Sequence, residues 1–387
     1  MSDPTGTNPK PEQAGLRGKL SLIGRLPASV PTPALVVDGA VLRRNIERMA
    51  RYAAQNGLSL RPHTKTHKCR MIAQLQIDAG AIGLTVAKAG EAALMQEVSQ
   101  DVMMAYPAVD PARCRQLAEL ARSGFIRVAV DSTAAITALA AAATAAGSTI
   151  GVLVEIDVGM GRTGVATAAE SLGLAQVASG TPGVRLDGLL CYPGQIWAPA
   201  GEQAAPLATV SARVEEALAL WRAHGLPTGI IAGGSTPTAC QSHLVKAFTE
   251  IHPGTYVFND MNTVHGGYCS LEDCAARVVC TVVSDAVRDQ VVIDGGSKTL
   301  TSDICFPAPD SGHGYVVEYP DAKIARLSEE HGQVDVSRCT RRPQVGERVT
   351  IIPNHICPCV NLHDSFWWLE PGAEPWREPV DARGRIS

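Results

Sequence analysis

The chain has 387 residues, of which 45% are hydrophobic and 19% are charged. This balance supplies enough apolar side chains for a large packed core and excludes wholesale disorder. The formal net charge of −4 and the aromatic content of 4% exclude a basic, ring-rich surface, so we expect no nucleic-acid partner and no attraction to anionic membranes.

Residues 1–27 are polar and contain Pro and Gly, and we expect a flexible arm there rather than a secretory signal. The stretch Ser132–Val154 carries no charge and is as long as a membrane span. Gly147 and Ser148 interrupt it, so a helix, a turn and a strand are expected instead. Eleven scattered cysteines in a chain of this size indicate reduced thiols and a cytoplasmic location.

After the arm, short apolar runs alternate with amphipathic helical segments. The predicted strands are 58–63, 83–87, 101–106, 125–131, 149–157, 184–192, 229–235 and 250–258, with helices such as 41–56, 111–123, 134–146 and 202–225. This alternation is typical of a parallel sheet, and eight units in a row fit a closed, TIM-type (β/α)8 barrel over residues 28–264 better than an open sheet.

Beyond about Val264 the pattern changes to short strands separated by turns. The predicted strands are 280–285, 290–294, 314–318, 348–352 and 366–369. We therefore expect a C-terminal β-rich domain over residues 265–387, which gives an α/β plus β fold class. A further strand at Thr32–Asp38 precedes the first helix, and the sequence leaves open whether residues 28–40 pair with the barrel or with this second domain.

Functional residues of a (β/α)8 barrel follow the carboxyl ends of its strands. The first predicted strand leads into the polar cluster Arg61–Lys68, which contains Lys65 between His63 and His67. A lysine that is partly removed from water among other cations loses its proton readily, which suits Schiff-base chemistry with a carbonyl group. A basic surface turn explains the same spacing equally well.

Two further strand ends are rich in glycine and hydroxyl groups. Free backbone N–H groups and hydroxyls at the ends of strands seven and eight favour a phosphate site over two ordinary turns. These residues are Gly234, Ser235, Thr236, Gly254, Thr255 and Tyr256. The fifth strand is followed by Gly159, Gly161 and Gly164 in G-x-G-x-x-G spacing, but a dinucleotide site is weakly supported because the motif occurs in the fifth unit and contains Arg162.

In the β-rich part, His355 and Cys357 are two residues apart. In an extended segment such residues point to the same side, so the two side chains could bind one metal ion. Imidazole and thiolate suit zinc best, and two protein ligands leave the open positions that a catalytic ion needs. Cys359 has the same alternation and stays an alternative ligand. Taken alone, buried His and Cys side chains in a β core are the simpler interpretation.

Together these features resemble the alanine-racemase-like, fold type III pyridoxal-phosphate enzymes. The resemblance is greatest to the D-threonine aldolase and D-serine dehydratase family. The matching stretches are Thr32–Asp38, Arg61–Lys68, Gly161–Gly164, Gly234–Thr238, Pro253–Tyr256 and the His355 and Cys357 pair.

The resemblance implies a role for each matching residue. Lys65 would bind pyridoxal 5'-phosphate covalently and move the α-proton, and Arg162 would face the phenolic oxygen of the cofactor. His63 and Tyr192 are further catalytic candidates. The phosphate would be held by Gly234, Ser235, Thr236, Gly254 and Thr255, with Tyr256 beside it, and a divalent metal, zinc or manganese, by His355 and Cys357. The resemblance also implies a homodimer in which the barrel of one subunit and the β domain of the other form the active site.

The implied substrates are small D-3-hydroxy-α-amino acids. A metal at the β-oxygen assists loss of hydroxide, or it acidifies the β-hydroxyl and starts retro-aldol cleavage. The His-x-Cys pair and Tyr192 after the sixth strand favour a dehydratase of the D-serine or 3-hydroxy-D-aspartate type, which forms a 2-oxo acid and ammonia. The alternative is D-threonine-aldolase-type cleavage to glycine and an aldehyde. An amino-acid racemase and a non-catalytic cofactor-binding module are remoter alternatives.

Several polar residues have no assigned role at this point. His67 lies close to Lys65 in sequence, and His313, His331 and Asp303 lie in the predicted β domain. For most of the β-domain residues we expect solvated turns.

Overall fold

The computed structural model describes residues 20–387, so the predicted arm at residues 1–27 lies mostly outside the described part. The described chain forms two compact units. The first contains Arg43–Phe258, Gly266–Tyr268 and Pro379–Ser387, and the second contains residues 20–42, Asn259–His265 and Cys269–Glu378.

The strands of the described chain are numbered in order. They are β1 (Ala34–Asp38), β2 (Ser59–Leu60), β3 (Leu84–Val86), β4 (Asp101–Met104), β5 (Phe125–Val130), β6 (Ile150–Glu155), β7 (Val184–Leu190), β8 (Ile230–Gly233), β9 (Glu250–Ile251), β10 (Ala276–Ser284), β11 (Gln290–Ile293), β12 (Tyr315–Val316), β13 (Lys323–Leu327), β14 (Gly332–Asp335), β15 (Arg348–Ile352), β16 (Ser365–Leu369) and β17 (Trp376–Pro379).

The helices are numbered in the same way. They are α1 (Gly39–Gln55), α2 (Arg70–Asp78), α3 (Ala89–Met95), α4 (Pro111–Leu120), α5 (Thr133–Ala146), α6 (Ala168–Gly180), α7 (Ala204–Ala223), α8 (Met261–His265), α9 (Ser297–Leu300) and α10 (Ile356–Leu362). In the described part of the chain, no helix has both the length and the apolar character needed to cross a membrane.

The first unit contains a parallel sheet of eight described strands in the order β2-β9-β8-β7-β6-β5-β4-β3. The two ends of this sheet meet, because the N–H groups of Ile82 and Thr85 donate to the carbonyl oxygens of Leu60 and Pro62 at 2.9 Å. A parallel bridge between His63 and Thr85 completes the closure. The predicted (β/α)8 barrel is therefore confirmed, and the strand ends that carry the sequence motifs lie on one face of it.

Local sequence signals explain where the barrel helices begin and end. Helix α5 starts at Ser132, whose hydroxyl accepts the N–H of Ala135 at 3.3 Å, and it stops at Gly147 in the left-handed conformation with φ +65°. Helix α6 starts with a reciprocal capping box between Thr167 and Glu170. The charge-free stretch 132–154 thus forms the predicted helix, turn and strand.

One end of the barrel interior contains a buried ionic network rather than an apolar layer. Arg61 is 1% exposed, and its guanidinium lies 2.7 Å from Asp101 and 3.2 Å from Glu250. Arg127 contacts Asp101 and lies 2.9 Å from Asp187. This network connects strands β2, β4, β5, β7 and β9. The next layer of the barrel interior is apolar and contains Met103, Ala129, Leu153, Leu190 and Ala232.

The second unit is built on a mostly antiparallel sheet. In the described part, the strand order is β13-β14-β11-β10-β1-β16-β17, with β15 pairing with β10 and β12. Strand β1, the additional strand predicted at Thr32–Asp38, pairs antiparallel with β10 and parallel with β16. Its core contains Val36, Val279 and Leu369 together with Leu22 and Leu26 from the described end of the predicted arm.

The room for Arg61 inside the barrel depends on Gly83. A Cβ atom at Gly83 would overlap the Arg61 guanidinium and the carbonyl oxygen of Asp101. We predict that Gly83→Ala lowers the free energy of unfolding by about 2–3 kcal/mol, because it crowds a buried ion pair. The matched control is Gly173→Ala at an exposed position of helix α6, where nothing lies within 4 Å and a gain of up to about 1 kcal/mol is expected. Urea denaturation measures both, and equal stability of the two variants would contradict the prediction.

Candidate active site

Lys65 lies in a short 3-10 helix, Thr64–Thr66, that follows β2. The helix is closed by the N–H groups of His67 and Lys68, which donate to the carbonyl oxygen of Thr64 at 3.1 and 2.8 Å. The Thr64 hydroxyl donates to the carbonyl oxygen of Thr85 at 3.2 Å. Backbone hydrogen bonds therefore fix the turn, and Lys65 itself is half-buried.

His63 caps this turn, and its ring nitrogen Nδ1 accepts the Lys65 N–H at 3.4 Å. Burial and the nearby positive charge of Lys65 hold the pKa of His63 well below its ordinary value. The imidazole is therefore neutral at physiological pH. Because Nδ1 accepts a hydrogen bond, the ring proton is on Nε2, and His63 offers a donor rather than a base at that atom.

Lys68 stabilises the other end of the turn. It has a left-handed backbone, with φ +52°, and its ammonium group lies 3.0 Å from the buried carboxylate of Glu91. Glu91 also accepts the N–H of Ala87 at 2.8 Å. This carboxylate therefore connects the turn after β2 to the loop after β3.

The loops after β8 and β9 meet at the hydroxyl of Thr236. Its oxygen accepts the N–H groups of Gly254 and Thr255 at 3.3 and 3.0 Å. Ser235 is buried, and its hydroxyl lies 3.0 Å from that of Thr238. Gly234 has φ +84°, so the turn after β8 needs a glycine there.

Gly254 brings this pair of loops against the Lys65 turn. A Cβ atom at Gly254 would lie 3.0 Å from the Thr66 hydroxyl and 3.1 Å from the carbonyl oxygen of His63. Tyr256 follows in a 3-10 helix and is buried. The structure thus brings Lys65, His63, Thr236, Gly254 and Thr255 together at the carboxyl ends of three adjacent barrel strands.

Arg162 and Tyr192 lie on the loops after β6 and β7. The Arg162 guanidinium is 4.9 Å from the centre of the Tyr192 ring, a cation–π contact. The glycine-rich loop wraps around the Asp157 carboxylate, which accepts the N–H groups of residues 159, 160 and 161 at 2.9–3.0 Å. These glycines shape the loop that carries Arg162, and in a closed barrel they do not form a dinucleotide-binding unit.

Glu155 is a site residue that the sequence analysis missed. It ends β6 and lines a small cleft with Arg162 and Tyr192. Its carboxylate accepts the Thr163 hydroxyl at 2.9 Å, and burial raises its pKa above the ordinary value. Its position at the carboxyl end of the fifth barrel strand is the signal that could have indicated it.

The proposed metal pair lies in the second unit, and its local structure differs from the prediction. His355 is the extended N-cap of helix α10, and Cys357 lies in the first helical turn, so the predicted extended segment is wrong. The cause is distant in sequence, because the carboxylate of Asp260 accepts the N–H of Ile356 at 3.0 Å and caps the helix. The His355 and Cys357 side chains still interact across this cap.

Asp303 contributes an interaction that no sequence signal indicated. Its carboxylate lies 2.7 Å from Nδ1 of His355. Burial alone would lower the pKa of His355, but Cys357, Asp260 and Asp303 raise it to about 9. A histidine held through Nδ1 by a carboxylate leaves Nε2 for a metal, which is the usual arrangement behind a metal-binding imidazole.

The other candidates of the second unit have different surroundings. Cys359 is fully buried, and its thiol donates to the carbonyl oxygen of Thr299 at 3.2 Å. His313 has a buried Nδ1 without a hydrogen-bond partner in the described chain, and His331 is exposed. Among residues 20–387, no three His, Cys, Asp or Glu side chains are grouped closely enough to bind a metal by themselves. The chemistry of His355 and Cys357 fits an ion that keeps open coordination positions.

The residues of the barrel mouth fit one particular cofactor. Two backbone N–H groups and a threonine hydroxyl beside a glycine fit a phosphate, and a half-buried lysine next to them fits an aldehyde. Pyridoxal phosphate carries both groups. This lysine turn on a (β/α)8 barrel, together with a separate β-rich unit, defines the alanine-racemase-like class of pyridoxal-phosphate enzymes.

Comparison with known proteins narrows this class. The profile of the alanine racemase N-terminal domain matches residues 37–261, and that of a putative serine dehydratase domain matches residues 275–369. A D-threonine aldolase from Arthrobacter sp is 34% identical over 92% of this chain and 94% of its own. A D-threo-3-hydroxyaspartate dehydratase from Delftia sp. (strain HT23) is 33% identical over 85% and 91%.

The crystal structure of a D-threonine aldolase from Filomicrobium marinum superposes with a TM-score of 0.85 at 31% identity, over 92% of this chain and 97% of that one. The chain belongs to the D-threonine aldolase and D-serine dehydratase family of alanine-racemase-like lyases. The resemblance seen in the sequence is thereby confirmed. Relatives of both reaction types match it at about the same level of identity.

The buried His67 predicts a pH dependence of stability. Burial lowers its pKa to about 4, whereas a histidine in the unfolded chain has a pKa near 6.5. As the pH falls from 6.5 towards 4, the unfolded chain takes up a proton that the folded chain refuses, so stability is lost in that window. We expect the difference in unfolding free energy between the native chain and His67→Asn to shrink by about 2 kcal/mol between pH 7 and 4.5. Parallel pH curves in urea denaturation would show that the prediction is wrong.

Proposed function

We propose that this protein is a lyase of D-3-hydroxy-α-amino acids that depends on pyridoxal phosphate and a divalent metal. We further propose dehydration, of the D-serine or 3-hydroxy-D-aspartate type, as its reaction, with a 2-oxo acid and ammonia as products. In this proposal residues 28–264 are the cofactor-binding domain and residues 265–387 carry the metal pair.

The roles of the barrel residues follow from their positions. Lys65 binds the cofactor aldehyde and moves the proton at Cα of the substrate. When bound, the cofactor supplies an electron sink for the carbanion at Cα. Arg162, steadied by the Tyr192 ring, faces the phenolic oxygen of the cofactor, and Tyr192 borders the reacting centre. His63 donates from Nε2, because its Nδ1 is used by the Lys65 N–H.

The phosphate is assigned to the loops after β8 and β9, with Gly234, Ser235, Thr236, Gly254 and Thr255 as its partners and Tyr256 beside them. The metal is assigned to His355 and Cys357, with zinc or manganese as the candidate ions. A divalent ion at this pair supplies a Lewis acid for the β-oxygen of the substrate. Asp303 orients the His355 imidazole for that task.

The His-x-Cys pair is the observation that favours dehydration over cleavage. Solved variants of a D-threo-3-hydroxyaspartate dehydratase replace a histidine and, two residues further on, a cysteine by alanine, and the cysteine variant is in the metal-free form. The spacing equals that of His355 and Cys357. Tyr192 stands after the sixth barrel strand, where the family resemblance implies a base histidine for an aldolase, and the histidine that it implies for a dehydratase near this turn is also missing.

Aldol cleavage is the second candidate. Its support is the identity of 34% to the Arthrobacter D-threonine aldolase, over nearly the whole chain. Both reactions need the same lysine, phosphate site and metal, so a shared fold does not decide between them.

We also propose a cytoplasmic homodimer. The dimer follows from the family resemblance, and light scattering of the purified protein tests it. The location is supported by the cysteine pattern, because eleven scattered cysteines in a chain of this size are typical of a reducing compartment.

The reaction is tested on protein loaded with pyridoxal phosphate and zinc. We expect D-serine or 3-hydroxy-D-aspartate to yield ammonia and a 2-oxo acid, and a chelator to abolish the product. Lys65→Ala should remove the activity together with the visible absorbance of the bound cofactor. Release of glycine and acetaldehyde from D-threonine, without ammonia, would show that the reaction is aldol cleavage and not dehydration. Racemisation without either product would overturn both.

The metal pair is tested by the zinc content of variants. We expect His355→Ala and Cys357→Ala to lose bound zinc, and Asp303→Asn to weaken zinc affinity by about 10–100-fold, because it frees the imidazole to rotate. The control is Cys240→Ser, an exposed cysteine of the barrel unit, which should retain zinc. Retention of zinc by Cys357→Ala but not by Cys359→Ala would identify Cys359 as the thiolate ligand.

A further inference from the structure

Segment Pro379–Ser387 belongs to the barrel unit, although the β-rich unit precedes it in the chain. Val380 and Ala382 anchor the segment, because both are buried. The N–H of Ala382 donates to the carbonyl oxygen of Lys68 at 2.9 Å. The segment is therefore bonded directly to the residue that ends the Lys65 turn.

Asp381 of this segment caps helix α2, the helix that follows the Lys65 turn. Its carboxylate accepts the backbone N–H of Arg70 at 2.8 Å, and it lies 3.2 and 3.0 Å from Nε and Nη2 of the Arg70 guanidinium. The N-cap position itself is Cys69, and cysteine is not among the residues preferred there. Helix α2 thus takes its acceptor from a residue 311 positions later in the chain.

The same segment contacts the helix that follows β3. The carbonyl oxygen of Ser387 accepts the N–H of Gly90 at 3.0 Å, in the first turn of α3. A Cβ atom at Gly90 would lie 3.2 Å from Cβ of Arg385, so the glycine allows the close approach. The N-cap residue of α3 is Lys88, whose ammonium group can only donate. One segment therefore supplies acceptors to two helix N-termini on the barrel face that carries Lys65.

The backbone of Lys68 explains why the turn needs this support. Its φ of +52° is left-handed, which is strained for a residue with a side chain and persists only where the surroundings hold it. The Lys68 N–H donates to Thr64, its carbonyl oxygen accepts from Ala382, and its ammonium group pairs with Glu91. Loss of one of these contacts would let the turn relax, and the direction of Lys65 would change with it.

We propose that Asp381 and Ala382 are positioning residues that hold the Lys65 turn in the shape that attachment of the cofactor requires. They act through the backbone of Lys68 and Arg70. This inference rests on the proposed function, in which Lys65 binds the cofactor aldehyde. The two matched family profiles end at residues 261 and 369, so the family assignment itself gives segment 379–387 no role.

The test compares two ligands on the apoenzyme of Asp381→Ala. Pyridoxal phosphate has an aldehyde that needs a correctly placed lysine, whereas pyridoxine phosphate has an alcohol there and cannot react with Lys65. We expect the variant to bind pyridoxal phosphate about tenfold more weakly, the effect of losing a helix cap. It should bind pyridoxine phosphate like the native chain. Calorimetric titration measures both affinities.

Three further variants separate positioning from general loss of stability. Asp381→Asn should restore native affinity, because a carboxamide oxygen still accepts the Arg70 N–H. Arg70→Gln should also bind like the native chain, since it keeps that N–H and removes only contacts of a half-exposed guanidinium. The matched control is Asp110→Ala, because Asp110 caps α4 through the N–H of Arg113 at 2.9 Å and pairs with its guanidinium at 3.0 Å. Its loss should leave affinity for pyridoxal phosphate unchanged.

Hydrogen exchange of the cofactor-free chain tests the turn independently of any ligand. The N–H groups of His67 and Lys68 donate to Thr64 and close the Lys65 turn. In Asp381→Ala they should exchange about tenfold faster than in the native chain, because the turn opens more often. Asp110→Ala should leave their exchange unchanged. Mass spectrometry of peptides that cover residues 64–68 measures the rates.

The outcomes separate this inference from the proposed function. Native exchange of the turn in Asp381→Ala, or equal losses of affinity for the two ligands, would overturn the positioning role and leave the proposed function intact. Equal weakening by Arg70→Gln and Asp381→Ala would also overturn it, because the ion pair and not the cap would then matter. Failure of the native chain to bind pyridoxal phosphate would overturn the proposed function together with this inference.

Discussion

The buried guanidinium of Arg61 is the interaction on which the arrangement of the barrel mouth depends. It binds Asp101 at the start of β4 and Glu250 at the start of β9, and it lies four residues before Lys65. Three strands that are far apart in sequence are therefore held at one level of the barrel. A buried ion pair adds little net stability, but removal of one partner leaves a charge without compensation. Its value here is geometric, because it fixes the register from which the Lys65 turn begins.

The glutamate of this network shows how firmly the charges are held. Burial opposes ionisation of Glu250, but His252 and Arg61 lower its pKa to about 2. The carboxylate therefore stays charged over the whole pH range in which the protein is expected to act. The ionic layer lies near the starts of the barrel strands, and the candidate site lies at their carboxyl ends.

Much of this organisation can be predicted from the sequence. The rest cannot be predicted, and the reasons are physical. The strand and helix rhythm predicts the barrel because each buried parallel strand is an apolar run, and the motifs after Leu60, Gly233 and Ile251 point to one face. Glu155 and Asp303 escape prediction because isolated acidic residues carry no pattern. Helix α10 escapes it because its cap is supplied by Asp260, nearly a hundred residues earlier, and Pro358 is tolerated in a first helical turn.

Thr236 has a consequence for how quickly a ligand can bind. Its hydroxyl accepts the N–H groups of Gly254 and Thr255, and this holds the two loops together. A phosphate bound at these loops, as the proposed function requires, would exchange one oxygen for another and would not have to order two loops. The entropy of loop ordering is lost during folding rather than during association. Association should then approach the rate set by diffusion and orientation, and the strength of binding should be governed by how slowly the ligand leaves.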